Sequence, residues 1–494
     1  MRKPALIFLL LVACYAYVLP RWADWNQNSR LNLVLALVDD GTVSIDRYVA
    51  NTGDYALYNG RTYTDKPPGL SFLALPAYML LSPALDLPPI AERIGGLGRG
   101  AAFEATLREQ GSGLRADKLR AALAQYGLTL TVVATPAAAL GALLYIALRR
   151  LAVASAPATF GALAYSLATP AATYAGNFYA HQLVAALLFG AFFVAWPWPE
   201  EHRRPAYARG LLCGLLLGWA VISEYPAALP AAVIGVYALS RRGWAWIAPL
   251  AVGGALPLAL LVVYDLAAFG TLLPVGYTYS ALWQEQHHTG FMSVTYPRLD
   301  ALWGLTFGSY RGLFFRAPWL LLAVPALVIW WRAGRARAEW WVLLLVPLTL
   351  LLFYGSSAMW WGGFSAGPRY LVPLVPFLAL PAAWLFGPLW SRPLARLAVL
   401  VALVLSLGLI WVEATAGQGF PYDTVSNTWS GYVVPAWQEG DIARNLGMAV
   451  GLRGPLSLAP LLVAICAGTC FVLASPERAP LRGLGYKPRL ESEG

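Results

Sequence analysis

Long apolar runs separated by short Arg-containing breaks dominate the chain. A bilayer-spanning helix needs about 20 mostly apolar residues. Runs of that kind lie near Pro4–Leu19, Leu119–Leu148, Pro157–Ala172, Ala180–Trp196, Gly210–Ile222 and Tyr225–Leu239. Others lie near Trp246–Phe269, Pro318–Trp331, Trp340–Gly355, Leu371–Leu389, Leu394–Trp411 and Leu456–Leu473. The pattern predicts twelve spans in an all-α polytopic membrane protein. A further run, Leu70–Leu85, is short, contains Pro76 and Pro83, and follows Lys66-Pro67-Pro68-Gly69. Its length suits a re-entrant or interfacial helix as well as a span.

Charge decides how that run is counted. With the N-terminus inside and Leu70–Leu85 not crossing, the inner pieces are the N-terminus, Arg149-Arg150, Glu200–Arg209, Arg241-Arg242, Arg332–Glu339, Arg392–Arg396 and the tail after Ser475. They carry 18 of the 35 basic residues and 6 of the 25 acidic ones, leaving 17 and 19 for the other side. Such a bias is what the positive-inside rule demands. Letting Leu70–Leu85 cross would mostly reverse it. Twelve spans with both termini cytoplasmic are therefore expected. The start, Arg2-Lys3 and then Leu11-Val12-Ala13-Cys14, resembles a lipoprotein signal, but the apolar run continues to Leu19 and reads as a first span.

Composition narrows the class. Of 494 residues 59% are hydrophobic and 12% charged, far from the roughly 25% charged residues of a soluble domain. The net charge of +10 is then a topology signal, and no nucleic-acid partner is expected. Cys14, Cys213, Cys466 and Cys470 all fall within spans, so no disulfide framework is implied.

Polar residues gather in four long outer segments: 20–118, 270–316, 356–370 and 413–455. The chain divides into a transmembrane module over 1–269 with the first outer loop 20–118, an outer loop 270–316, a second transmembrane module over 317–475 with loops 356–370 and 413–455, and a tail 476–494. In the first loop, Leu31, Val34, Leu35 and Val38 recur at helical spacing within Asn28–Asp40. They predict an amphipathic helix capped by Asn28 or Ser29 and lying along the membrane surface. Asn59-Gly60 predicts a turn. Lys66 follows Asp65 at a stiff Pro-Pro corner. An ammonium there suits a lipid phosphate, or anchors a helix end by snorkelling.

The ordered set Gln27-Asn28-Ser29-Arg30, Asn59-Gly60 and Lys66-Pro67-Pro68 resembles the first loop of GT-C-fold glycosyltransferases that use polyprenyl-phosphate sugars. Protein O-mannosyltransferases and lipid A aminoarabinose transferases are the relatives in view. Phe307-Gly308-Ser309-Tyr310-Arg311-Gly312-Leu313-Phe314, Trp360-Trp361-Gly362-Gly363 and Gly367-Pro368-Arg369-Tyr370 resemble later patterns of bacterial members. The resemblance implies a GT-C-like fold with interfacial helices in the long first outer loop. It also implies an inverting glycosyltransferase of the bacterial plasma membrane with its site on the outer, periplasmic face. One departure stands out: the acidic pair usual before Ser-Arg is Gln27-Asn28 here.

Inverting transfer needs a carboxylate to take the acceptor's proton. The nearest is Asp24, with Asp46, Asp54 and Asp65 as rivals. Positive charge must meet the departing phosphate. Lys66, Arg30 and Arg369 are the first candidates, with Arg311 and Arg316 behind them; an Arg fork pairs bidentately with phosphate. His181, Trp360, Trp361 and Tyr370 are candidate substrate contacts, although most outer aromatics suit an interfacial belt. Glu224, Asp265 and Glu413 lie near outer span ends. Adjacent His287-His288 point different ways on a helix and lack further ligands for a metal site; no dedicated metal set is visible and no cofactor is expected, with dependence on a divalent metal left open. The partners implied are a polyprenyl-phosphate-linked sugar, an acceptor protein, lipid or glycan, and membrane lipids. Alternatives are a lipid-carrier flippase or solute permease, and a glycan polymerase or ligase using a diphosphate-linked donor. A permease should carry mid-span charge, which is scarce here.

Overall fold

The computed structural model describes residues 2–22, 24–97, 119–198, 206–272, 276–290, 293–334 and 336–476. The end of the first loop, most of the Glu200–Arg209 break and the tail from 477 lie outside the described residues. Among the described residues helices joined by loops predominate, and the only strands are those of one two-stranded hairpin. Six helices are long and apolar enough to cross a bilayer: Leu119–Arg150, Ala206–Ser223, Trp244–Phe269, Arg337–Gly355, Pro393–Thr415 and Gly454–Ala474. The chain is an all-α membrane-spanning protein. The other six apolar runs form shorter helices, such as Arg2–Tyr17 with 16 residues and Ser155–Leu167 with 13. Proline and glycine cut them: Pro170 starts a new turn directly after Ser155–Leu167.

Helix 206–223 and helix 244–269 pack closest. Gly210, Gly214 and Gly218 recur every fourth residue on one face, where Gly210 meets Pro249 and the other two meet Gly254, while Gly253 meets the Leu211 and Leu215 backbone. A Cβ on Gly218 would lie 2.6 Å from the Gly254 carbonyl oxygen, and one on Gly214 would strike the Leu250 carbonyl. Small residues let the two backbones touch, which is how helices associate where no hydrophobic drive separates protein from lipid.

The first loop folds against this bundle. Helix α1 (Arg2–Tyr17) is followed by helix α2 (Trp25–Asp39). The α2 start differs from the expected Asn28 or Ser29 cap: Asp24 is the N-cap, and its Oδ1 accepts from the Gln27 amide at 2.9 Å. Nor does α2 present one face to a surface. Every residue from Asn26 to Ala36 is buried. Leu31, Val34 and Leu35 pack on Leu70, Ala74, Leu128 and Leu183, while Leu33 and Ala36 pack on Ile45, Tyr63 and Phe269. The polar residues between these faces bond to loop backbone, as when Asn28 donates to the Trp22 and Asn51 carbonyls.

Strands β1 (Ala56–Tyr58) and β2 (Arg61–Tyr63) pair antiparallel across Asn59-Gly60. Both turn residues have positive φ, +49° and +75°, the type I′ geometry that matches strand twist. Helix α3 (Gly69–Leu85) covers the Leu70–Leu85 run, and α4 (Pro88–Leu97) leaves it at an 84° bend. Pro88 and Pro89 enforce the break. Arg120 braces it, with paired bonds of 2.6 and 2.7 Å to Asp86 and further bonds to Tyr78 and Ser82. Tyr78 in turn donates to Asp39 at the end of α2 at 2.7 Å.

Candidate active site

A cavity of about 580 Å³ opens where α2, the Lys66 corner, the 276–290 segment and the 356–370 loop meet. Asp24, Arg30, Asp54, Lys66, His181, Glu224, Arg369 and Tyr370 all line it. These residues come from distant parts of the chain, and each is held by its own local structure.

Asp24 is fixed by capping α2. Its second oxygen, Oδ2, accepts from the Tyr179 hydroxyl at 2.7 Å. Burial pushes the carboxyl up to about 6, against the pull of Tyr179, the Gln27 N–H and the Arg369 guanidinium. The carboxyl thus sits well above the usual carboxylate range while keeping a fixed orientation. Gln27, in the place of the expected acid, is structural: its Oε1 accepts from the Phe178 amide at 2.7 Å and from Gln125 at 3.2 Å.

Lys66 is held between two carboxylates. Its ammonium lies 2.9 Å from Asp54 Oδ2 and 3.2 Å from Asp65. Ser280 also donates to Asp65 at 3.0 Å. Asp65 is wholly buried behind the lining, and its burial raises it above the usual carboxylate range in spite of Lys66. Burial disfavours the ammonium, yet Asp54 and Asp65 outweigh that and hold Lys66 above its ordinary value. Arg30 is likewise engaged: it donates to Glu224 at 2.6 Å, to Asn26 at 3.1 Å and to the Pro67 carbonyl at 3.1 Å.

Arg369 differs from both. Among the described residues it has no carboxylate within ion-pair distance, and its buried Nε has no hydrogen-bond partner. Its guanidinium lies over the Tyr179 ring at 5.4 Å and the Tyr370 ring at 5.2 Å. Nη1 donates to the Tyr179 oxygen at 3.5 Å. The glycine-rich loop makes room for it. Gly362 has φ +76°, and a Cβ there would stand 3.2 Å from Arg369 Nε. A half-buried cation that faces a cavity, with its Nε buried and unpartnered, is poised for an anion.

His181 stacks on Tyr179 at 5.9 Å, lies 3.7 Å from Glu224 Oε1, and leaves a buried Nδ1 without a partner. Tyr370 stacks on Tyr354 at 4.4 Å. His287, stacked on Tyr277 at 4.9 Å, closes another side; burial beside Lys66 lowers it to about 4.

Several candidates lie elsewhere. Arg311 is outside the cavity lining: it donates to the carbonyls of Trp361, Gly363 and Ser365 and so shapes the loop that carries Arg369. Arg316 makes a buried two-bond pair with Glu413 at 2.5 and 2.6 Å. Asp46 binds Thr62 beside the hairpin, and its side chain takes no part in the lining. Trp360 packs on Gly304 and stands edge-on to Tyr310 at 6.0 Å, with Trp361 edge-on to it; neither lines the cavity. Tyr179 and Tyr277 are among the lining residues that sequence reasoning passed over. Their one signal was the aromatic and polar cluster around His181 and the 270–316 loop. Among the described residues no group of three or more His, Cys, Asp or Glu side chains is arranged to hold a metal.

Fold and site together define the class: an all-α membrane protein with a buried, charge-lined cavity at one end of its helices. Compared with family models, curated proteins and solved structures, the chain matches none, so its own residues carry the functional argument.

Proposed function

We propose that the protein is an inverting membrane glycosyltransferase that moves a sugar from a polyprenyl phosphate to an acceptor hydroxyl. In this reading the chain crosses a bacterial plasma membrane twelve times and has both termini inside. The α3–α4 pair does not cross, and the cavity faces the outer side. The observation that carries the proposal is the placing, on one cavity, of a buried carboxyl held above the usual carboxylate range and a half-buried guanidinium that lacks a carboxylate partner among the described residues.

The chemistry follows from those two groups. The acceptor oxygen attacks the anomeric carbon and its proton passes to Asp24. The bond from that carbon to the phosphate oxygen breaks as the new glycosidic bond forms. Negative charge grows on the phosphate, where Arg369 stabilises it before any solvent can reorganise. Lys66 adds positive potential, tempered by Asp54 and Asp65. The tyrosine-rich wall offers faces for the sugar ring.

The test supplies radiolabelled polyprenyl-phosphate sugars to purified protein in lipid and follows label into acceptor. Asp24→Asn and Arg369→Gln should each abolish transfer while leaving the melting temperature near that of the parent. Full transfer by both variants would sink the proposal.

A further inference from the structure

Tyr179 stands between the two groups that the proposed reaction uses. Its hydroxyl donates to Asp24 Oδ2 at 2.7 Å and accepts from Arg369 Nη1 at 3.5 Å. The ring is fully buried and clamped. Tyr174 meets it edge-on at 5.4 Å, His181 stacks at 5.9 Å, and Phe420 meets it edge-on at 6.0 Å. Phe420 is itself covered by the Arg21 guanidinium at 4.6 Å, which is tied to the Ala414, Ala416 and Gly419 carbonyls. The hydroxyl therefore has little freedom to leave the line from Arg369 to Asp24. The other charged groups facing Asp24 are Asp54 from the first loop and Arg21 from the turn before α2.

A hydroxyl that accepts from a cation becomes a better donor. Arg369 thus strengthens the Tyr179–Asp24 bond and holds the carboxylate in its ionised form. We propose that Tyr179 is a positioning residue that couples occupancy of Arg369 to the basicity of Asp24. An anionic phosphate draws the guanidinium away from the Tyr179 oxygen, the bond to Asp24 weakens, and Asp24 becomes the stronger base only once the donor is seated. Tyr179 keeps its own proton throughout; the acceptor's proton goes to Asp24. The coupling rests on reading Arg369 as the partner of the donor phosphate.

The test follows the titration of the Asp24 carboxyl by infrared difference spectroscopy on the full chain in nanodiscs. The band is assigned by its loss in Asp24→Asn. Farnesyl phosphate, which lacks a sugar, is the probe. It should raise the wild-type midpoint by roughly one pH unit. Arg369→Gln should raise it without the probe. Both rises should shrink to less than half in Tyr179→Phe, whose own midpoint starts higher. Arg369→Lys, tested with Tyr179 intact, keeps the charge but loses the guanidinium donor, and should still raise the midpoint. Equal shifts in the Tyr179 and Phe backgrounds, or no shift in Arg369→Lys, overturn the coupling and leave the donor reading standing. A non-additive cycle with no response to farnesyl phosphate overturns the donor reading, and the occupancy coupling with it.

Discussion

At the scale of single residues, Asp24 carries two duties that share one carboxyl. One oxygen caps α2 and the other faces Tyr179 and the cavity. In the sequence Asp24 stood as a candidate base; the bond that caps α2 comes from the structure, and the geometry is compatible with both. The pH dependence follows from burial. Because the carboxyl is raised to about 6, it is protonated and inert as a base below that value. At limiting donor, kcat/KM should fall about tenfold per pH unit below about 6 and be flat above it, and with donor saturating the limb should move up by roughly one pH unit. Asn can still cap a helix through its side-chain oxygen. Asp24→Asn should therefore retain its melting temperature, lose transfer by about 10² or more, and show no acid limb in what remains. Persistence of the limb in that variant would assign it to another group. Lys66 was legible as a candidate cation from its Pro-Pro corner. Of the two carboxylates around it, Asp65 is its neighbour in sequence, but Asp54 was not legible as a partner, because it reaches Lys66 only through the fold of the hairpin loop. That pairing makes Lys66→Ala a stability variant as well. Removing the ammonium strands Asp54 and Asp65 together in a buried site, at a cost of about 3–5 kcal/mol. The stranded carboxylates would bind protons more tightly in the folded state than in the unfolded one, so folding gains as pH falls. Lys66→Ala should melt lower than wild type at pH 8 and recover part of the loss at pH 5. An equal loss at both values would show that the cluster is not the cause.

At the scale of elements, apolar runs were read readily and their surroundings were not. Each of the twelve runs became helix, since long apolar stretches without period-2 alternation have no other stable form. The hairpin strands are three residues each, too short to display alternation, so only the Asn59-Gly60 turn was visible. For α2, one apolar stripe was evident in Leu31, Val34, Leu35 and Val38. Burial of the opposite side depends on Ile45 and Phe269, residues that sequence spacing cannot bring to it. The glycine seam between helices 206–223 and 244–269 gives an element-scale prediction. Gly214→Leu drives a side chain into the Leu250 carbonyl, where backbone must move. A loss of about 1–3 kcal/mol or more is expected in thermal unfolding in detergent. Gly235→Ala and Gly408→Ala, whose Cβ atoms would meet nothing within 4 Å, should be near neutral. Similar losses in all three would remove the seam from the explanation.

At the scale of the whole molecule, the question is how many helices cross. Six pass by length and composition, or seven if the bent α3–α4 pair is one span, while the charge pattern argues for twelve. Twelve crossings give a net charge of +12 inside and −2 outside, from 18 basic against 6 acidic residues and 17 against 19. The shorter helices can still cross, because tilt is not required of them and a thinned bilayer or snorkelling flanks accommodate a short span. The three counts differ in where exposed positions fall. Relative to Arg61 at the start of β2, twelve crossings put Ala154 on the opposite side and Tyr422 on the same side. Six crossings put both opposite. Seven put both on the same side. The four native cysteines lie in helices and can be replaced together. Arg61→Cys, Ala154→Cys and Tyr422→Cys can then be made singly, all at exposed positions. A membrane-impermeant maleimide on intact cells should label the first and third and reach the second only after permeabilisation. Any pattern in which Tyr422→Cys does not share the side of Arg61→Cys, or Ala154→Cys does, rules out twelve crossings. The side on which Arg61→Cys labels also fixes the side of the cavity, since the hairpin and the Lys66 corner belong to one loop. Labelling of Arg61→Cys only after permeabilisation would put the cavity on the inner side and remove the outer-face acceptor from the proposed reaction.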